Sequence, residues 1–173
     1  MSTNKMNVPI PDNILAGIEK IIAEAGSVAF VVFGGSNEVN SAVIEKLTAQ
    51  KSPLYGIEAW YFGAPIDRHQ LQCYLSNEKM QSTLAGRGSI VINLPGRAIT
   101  FPSNRPIIAD TLRKQGAERV VGIFVDFDNK FANKTGKVNR RSKQFAAELR
   151  NHPPRKDTEE WDSLYTIHLG RQP

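Results

Sequence analysis

Residues 27–47 read SVAFVVFGGSNEVNSAVIEKL, and this stretch decides the class of fold. The run from Val28 to Phe33 is unbroken by any polar side chain and rich in β-branched and aromatic residues, the pattern of a strand covered on both faces. Gly34-Gly35-Ser36-Asn37 then reads as a tight turn. Val39, Val43, Ile44 and Leu47 follow at three-and-four spacing, which predicts a helix, with Asn40 or Ser41 available to satisfy its first free N–H groups. A buried strand feeding directly into an amphipathic helix is half of a strand–helix–strand unit.

Working outward, Ile14, Leu15, Ile18, Ile21 and Ile22 mark an earlier helix with Asp12 or Asn13 as cap and Gly26 beyond its end. The segment 57–62 is a strand, with Trp60 and Phe62 on one face and Tyr61 on the other. Leu71, Cys73 and Leu75 alternate with Gln70, Gln72 and Tyr74, which predicts a strand returning as a hairpin through 63–67 and makes Cys73 a small core residue. A helix over 69–84 is the alternative reading. Residues 89–94 and 98–101 form a second expected pair, joined at Pro95-Gly96. A helix then carries Pro106 in its first turn, Ser103 or Asn104 as cap and Gly116 as terminator. The apolar run 119–125 is another strand, 139–150 a basic helix, and 163–168 a last edge strand. The expectation is a single α/β domain with a mixed sheet, parallel plus hairpin, and helices packed on it. Residues 1–11 form a flexible start, 12–152 the domain and 153–173 a C-terminal extension.

Composition narrows the function classes. With 173 residues, 40% of them hydrophobic, the chain can bury a sizeable core without covalent staples. One cysteine, Cys73, excludes an internal disulfide and a cysteine-rich zinc site. The three histidines stand far apart, without H-E-x-x-H. No apolar run approaches the roughly 20 residues of a membrane span, and the first residues lack the order of a signal peptide. The expectation is a soluble, cytoplasmic protein with no membrane partner.

The placement of charge is more informative than its sum. Nine Lys and Arg against Glu148 alone give residues 129–156 a net charge of +8, while 13 cations against 16 acids leave the rest at −3. Such a concentration suits a nucleic acid or another polyanion, because each phosphate neutralised releases condensed counterions. Lys130, Lys134, Lys137, Arg140, Arg141 and Lys143 are the expected phosphate-backbone contacts. A solvated loop that maintains solubility is the plainer reading of the same residues.

Candidate chemistry belongs where loops leave the carboxyl ends of the strands. Gly34, Gly35, Ser36 and Asn37 are a candidate phosphate-binding turn at a helix N-terminus, although neither established nucleotide fingerprint is met. Asp126 and Asp128, at i and i+2 after a buried strand, are candidate catalytic carboxylates and ligands for Mg²⁺. Asp67 and His69 form a third cluster, with His69 as a general base oriented by Asp67 or as a metal ligand. A strand–turn–helix opening followed by a strand ending in Asp-x-Asp resembles, in part, the Toprim nuclease and primase fold. That resemblance implies a glutamate at the end of the first strand; Phe33, Gly34 and Gly35 stand there, and Glu38 comes later. Three functions are therefore carried forward. The first is nucleic-acid binding with Mg²⁺-dependent phosphoryl chemistry at Asp126 and Asp128. The second is an enzyme taking a nucleotide or phosphorylated ligand at residues 34–37, and the third a regulatory module that binds another protein.

Overall fold

The computed structural model describes residues 8–63, 67–95, 105–127 and 161–169. In chain order they form α1 (Asp12–Glu24), β1 (Val28–Phe33), α2 (Asn37–Thr48), β2 (Glu58–Tyr61), α3 (Arg68–Leu75) and α4 (Glu78–Ala85). β3 (Ile90–Leu94), α5 (Arg105–Lys114), β4 (Arg119–Phe127) and β5 (Ser163–Leu169) follow. The strands make one sheet in the order β2-β3-β1-β4-β5. Every pairing among them is parallel.

β1 is the middle strand, and all six of its residues are buried. Side chains alternate across a strand, so Val28, Phe30 and Val32 pack with Ile14, Ile18 and Ile21 of α1 and Val43, Ile44 and Leu47 of α2. Ala29, Val31 and Phe33 pack on the other side with Leu71, Leu75, Met80, Leu84, Ile108 and Leu112 from α3, α4 and α5. The result is three layers, helices–sheet–helices. Topology explains the division. The chain first moves outward from β1 to β2, then returns through β3 and crosses to β4, and right-handed connections in opposite directions need opposite faces.

The α/β expectation holds, but the hairpin at 63–75 is corrected. Residues 68–75 and 78–85 are helices α3 and α4, and β2 and β3 run parallel. Leu71 and Leu75 satisfy a two-residue and a four-residue period alike, so seven positions could not separate strand from helix. The caps decide it: Asp67 Oδ1 accepts from the Gln70 N–H at 2.9 Å, and Asn77 Oδ1 from those of Lys79 and Met80. On a helix Cys73 faces away from Leu71 and Leu75, and it is exposed rather than in the core. The caps of the first two helices also differ from expectation. α1 follows Pro11 with no side-chain cap, and Ser36, not Asn40 or Ser41, caps α2 by accepting from Val39 N–H. The expected strand at 98–101, the cap at Ser103 or Asn104 and the helix at 139–150 lie outside the described residues.

Gly34 joins β1 to the turn with φ +104°, and a Cβ there would lie 2.6 Å from the Val125 carbonyl oxygen and from the Phe124 ring. Both the backbone conformation and the approach of β4 require glycine. Gly34→Ala is expected to lower unfolding free energy by about 2–4 kcal/mol through strain plus overpacking, read from the midpoint of a urea titration. A loss under about 0.5 kcal/mol would contradict this packing.

Candidate functional site at the carboxyl edge of the sheet

Because the sheet is parallel, the ends of β1, β3 and β4 lie on one edge. β1 is continued by α2 on one face, whereas α5, which follows β3, lies on the other. Neighbouring strands whose connections diverge in this way open a crevice between their carboxyl ends. The residues at this crevice are Gly34–Ser41, from the turn after β1 and the start of α2, and Asn93 from β3.

A chain of amides runs through it. The Gly35 N–H donates to Asn40 Oδ1 at 3.0 Å, and Asn40 Nδ2 donates to Asn93 Oδ1 at 2.9 Å. Asn93 Nδ2 donates in turn to Asn37 Oδ1 at 2.8 Å and, more weakly, to Ser41 Oγ at 3.5 Å. Asn40 and Asn93 have no exposed surface, whereas Asn37 stands at the mouth. With Asn37 Oδ1 consumed inward, its Nδ2 donors remain for the solvent side. The mouth therefore presents hydrogen-bond donors, the complement of a phosphate or carbonyl oxygen.

Of the expected phosphate turn, Gly34 and Gly35 are buried behind this mouth and Ser36 and Asn37 are exposed. The glycines serve close packing: a Cβ on Gly35 would lie 2.7 Å from Asn40 Oδ1. The Gly35 N–H is spent on Asn40 and Ser36 Oγ on the helix cap. Asn37 is thus the residue of the four whose polar side chain is turned outward and available.

Asp126 belongs to β4, paired in register with His168, two positions beyond the Phe33–Phe124 pair. Its backbone thus reaches the same edge, beside the 34–37 turn. Asp128 and the basic residues Lys130, Lys134, Lys137, Arg140, Arg141 and Lys143 lie outside the described residues. Asp67 and His69 sit at the start of α3, which packs on the opposite face of the sheet from α2 and the Asn37–Asn93 pair. Asp67 Oδ1 is occupied by the helix cap, and His69 Nε2 lies 3.8 Å from Cys73 Sγ rather than against Asp67. Among the described residues no group of three or more His, Cys, Asp or Glu is placed to hold a metal ion. Near the opposite, amino edge a shallow groove is lined by Glu58, Glu78, Lys79, Ser82 and Thr83.

Tyr61, at the end of β2, is half exposed. Burial, and secondarily the Glu45 carboxylate, raise its phenol above the ordinary value of 10.0. It remains a neutral hydroxyl through the physiological range.

Sequence reading did not single out Asn40, Ser41 or Asn93 as part of a site. Two signals were present. Asn93 interrupts an otherwise apolar strand, IVINL, and Asn40 stands at core spacing three, four and seven residues before Val43, Ile44 and Leu47. Buried amides persist only when paired. Asn93→Leu leaves Asn40 Nδ2 without its acceptor, and an expected loss of about 1–3 kcal/mol follows, to be read by chemical denaturation. Asn37→Ala removes the 2.8 Å acceptor of the buried Asn93 Nδ2 and leaves it the 3.5 Å contact with Ser41 Oγ, so it is expected to cost about 1 kcal/mol.

Comparison with protein families, with curated proteins and with solved structures finds no match.

Proposed function

We propose that the protein binds the phosphate backbone of nucleic acid along the carboxyl edge of its sheet. The observation that carries the reading is the convergence of three strand ends on one edge, with the chain leaving β4 there just before the +8 segment. Long-range attraction would come from Lys130, Lys134, Lys137, Arg140, Arg141 and Lys143. The Asn37 amide and the first N–H groups of α2 would then seat one phosphate at the crevice. Binding of a labelled oligonucleotide, single- or double-stranded, is expected at low salt with an affinity that falls steeply as salt rises. No binding of either form at about 10–50 mM salt would defeat the reading.

Phosphoryl chemistry is the catalytic extension of the proposal. Mg²⁺ keeps several waters and often takes only one or two protein carboxylates while bridging to a substrate phosphate, so Asp126 and Asp128 would suffice as its ligands. The expected result is nucleic-acid cleavage that needs Mg²⁺, stops with chelator and is lost in Asp126→Asn, with oligonucleotide affinity retained.

A second reading is favoured by the mouth itself: a nucleotide or phosphorylated small molecule held at Asn37, whose amide the buried Asn93 orients from behind. A ligand at 100 times its Kd would add about 2.7 kcal/mol. A thermal shift with one member of a nucleotide and phosphosugar panel, abolished in Asn37→Asp, would favour this reading over the polymer.

A further inference from the structure

On the outward side of α3, His69 and Cys73 are one helical turn apart, and both are exposed. Residues four apart share a helix face, and here His69 Nε2 and Cys73 Sγ lie 3.8 Å from one another. A tetrahedral Zn²⁺ with bonds of about 2.3 Å to sulfur and about 2.05 Å to nitrogen separates those two atoms by about 3.6–3.8 Å for angles of about 109–120°. The observed spacing therefore matches the bite of a single ion without moving the backbone.

From this geometry we infer that His69 and Cys73 form a two-point chelate for a thiophilic divalent cation, Zn²⁺ or Cd²⁺. The inference does not depend on the proposed nucleic-acid function, since α3 lies on the opposite face of the sheet from α2 and the Asn37–Asn93 pair. Imidazole nitrogen and thiolate sulfur select such ions over Mg²⁺ and Ca²⁺, which prefer oxygen. The helix holds the pair in place. Asp67 caps its start, Leu71 and Leu75 are fully buried beneath it, and Tyr74 stacks on Phe62 with ring centroids 4.8 Å apart. Ordering cost is therefore largely met before the ion arrives. As the sulfur–metal bond forms, the thiol proton passes to buffer, and no electron is transferred. Water fills the remaining positions on the exposed side.

Cys73 is the chain's one cysteine, so any thiolate-to-metal charge-transfer absorbance must arise from it. Titration of the reduced full-length protein with Cd²⁺ is expected to develop that band to saturation at one ion per chain, unaffected by millimolar Mg²⁺. Cys73→Ala abolishes the band. His69→Gln, which leaves His152 and His168 in place, weakens apparent affinity at least about tenfold, and His69→Cys restores it. Equal affinity in wild type and His69→Gln would mean that the thiol acts alone, and would overturn the inference. So would the absence of a saturable band in wild type.

Discussion

Trp161→Ala is expected to lower the free energy of unfolding by about 3–5 kcal/mol, a large part of the 5–15 kcal/mol that domains usually possess. Trp161 is 1% exposed and lies 5.2 Å from the Phe33 ring at an interplanar angle of 11°. It packs on the face that carries α3, α4 and α5. The next residue fixes the chain as it joins the sheet: Asp162 Oδ2 accepts from Val120 N–H at 2.7 Å and pairs with Arg113 at 3.2 Å. The indole Nε1 is buried, with no hydrogen-bond partner among the described residues. Trp161→Phe should therefore keep most of the packing while removing that donor, and cost less than about 1.5 kcal/mol. Urea unfolding of the two variants beside wild type separates these outcomes. Equal stability of Trp161→Ala and wild type would mean that this ring does not close the core against β1.

The second large effect concerns binding. Reversing Arg140, Arg141 and Lys143 to Glu together is expected to flatten the logarithmic salt dependence of oligonucleotide affinity by about 3, one for each phosphate that is no longer neutralised. Affinity at low salt should fall at least about tenfold. Reversal of Lys20, Lys46 and Lys79, three cations elsewhere on the chain, is the control for net charge alone. If both triple variants lose affinity equally, the attraction belongs to the molecule's overall charge and not to residues 129–156.

The legible parts of the fold were those in which one periodicity excluded the other. Val28–Phe33 is too long and too uniformly apolar to be half-solvated, and it is the buried middle strand. The α2 pattern of Val39, Val43, Ile44 and Leu47 was equally plain, and those residues are buried. Residues 70–75 were not, because leucines four apart also fit alternation. Only the capping roles of Asp67 and Asn77 distinguish the cases. Strand order was beyond local pattern altogether. That β1 lies between β3 and β4 follows from long-range pairing, and so does the meeting of Asn37 with Asn93, 56 residues apart.

The candidate site was legible in outline and not in function of parts. The glycines of the 34–37 turn signalled close approach, but what approaches is β4 and the Asn40 amide. Asn37 kept an outward role, while Asn93 looked like a flaw in a strand. A polar residue among apolar neighbours carries a question that sequence alone leaves open: which second polar group satisfies it.

Amide chemical-shift mapping of the full-length protein, titrated with a short oligonucleotide at low salt, tests the proposed binding edge most directly. Residues 35–41, Asn93 and the end of β4 should shift together, with a common midpoint. Shifts confined to the amino edge around Glu58 and Glu78, with residues 35–41 and Asn93 unmoved at saturation, would contradict it.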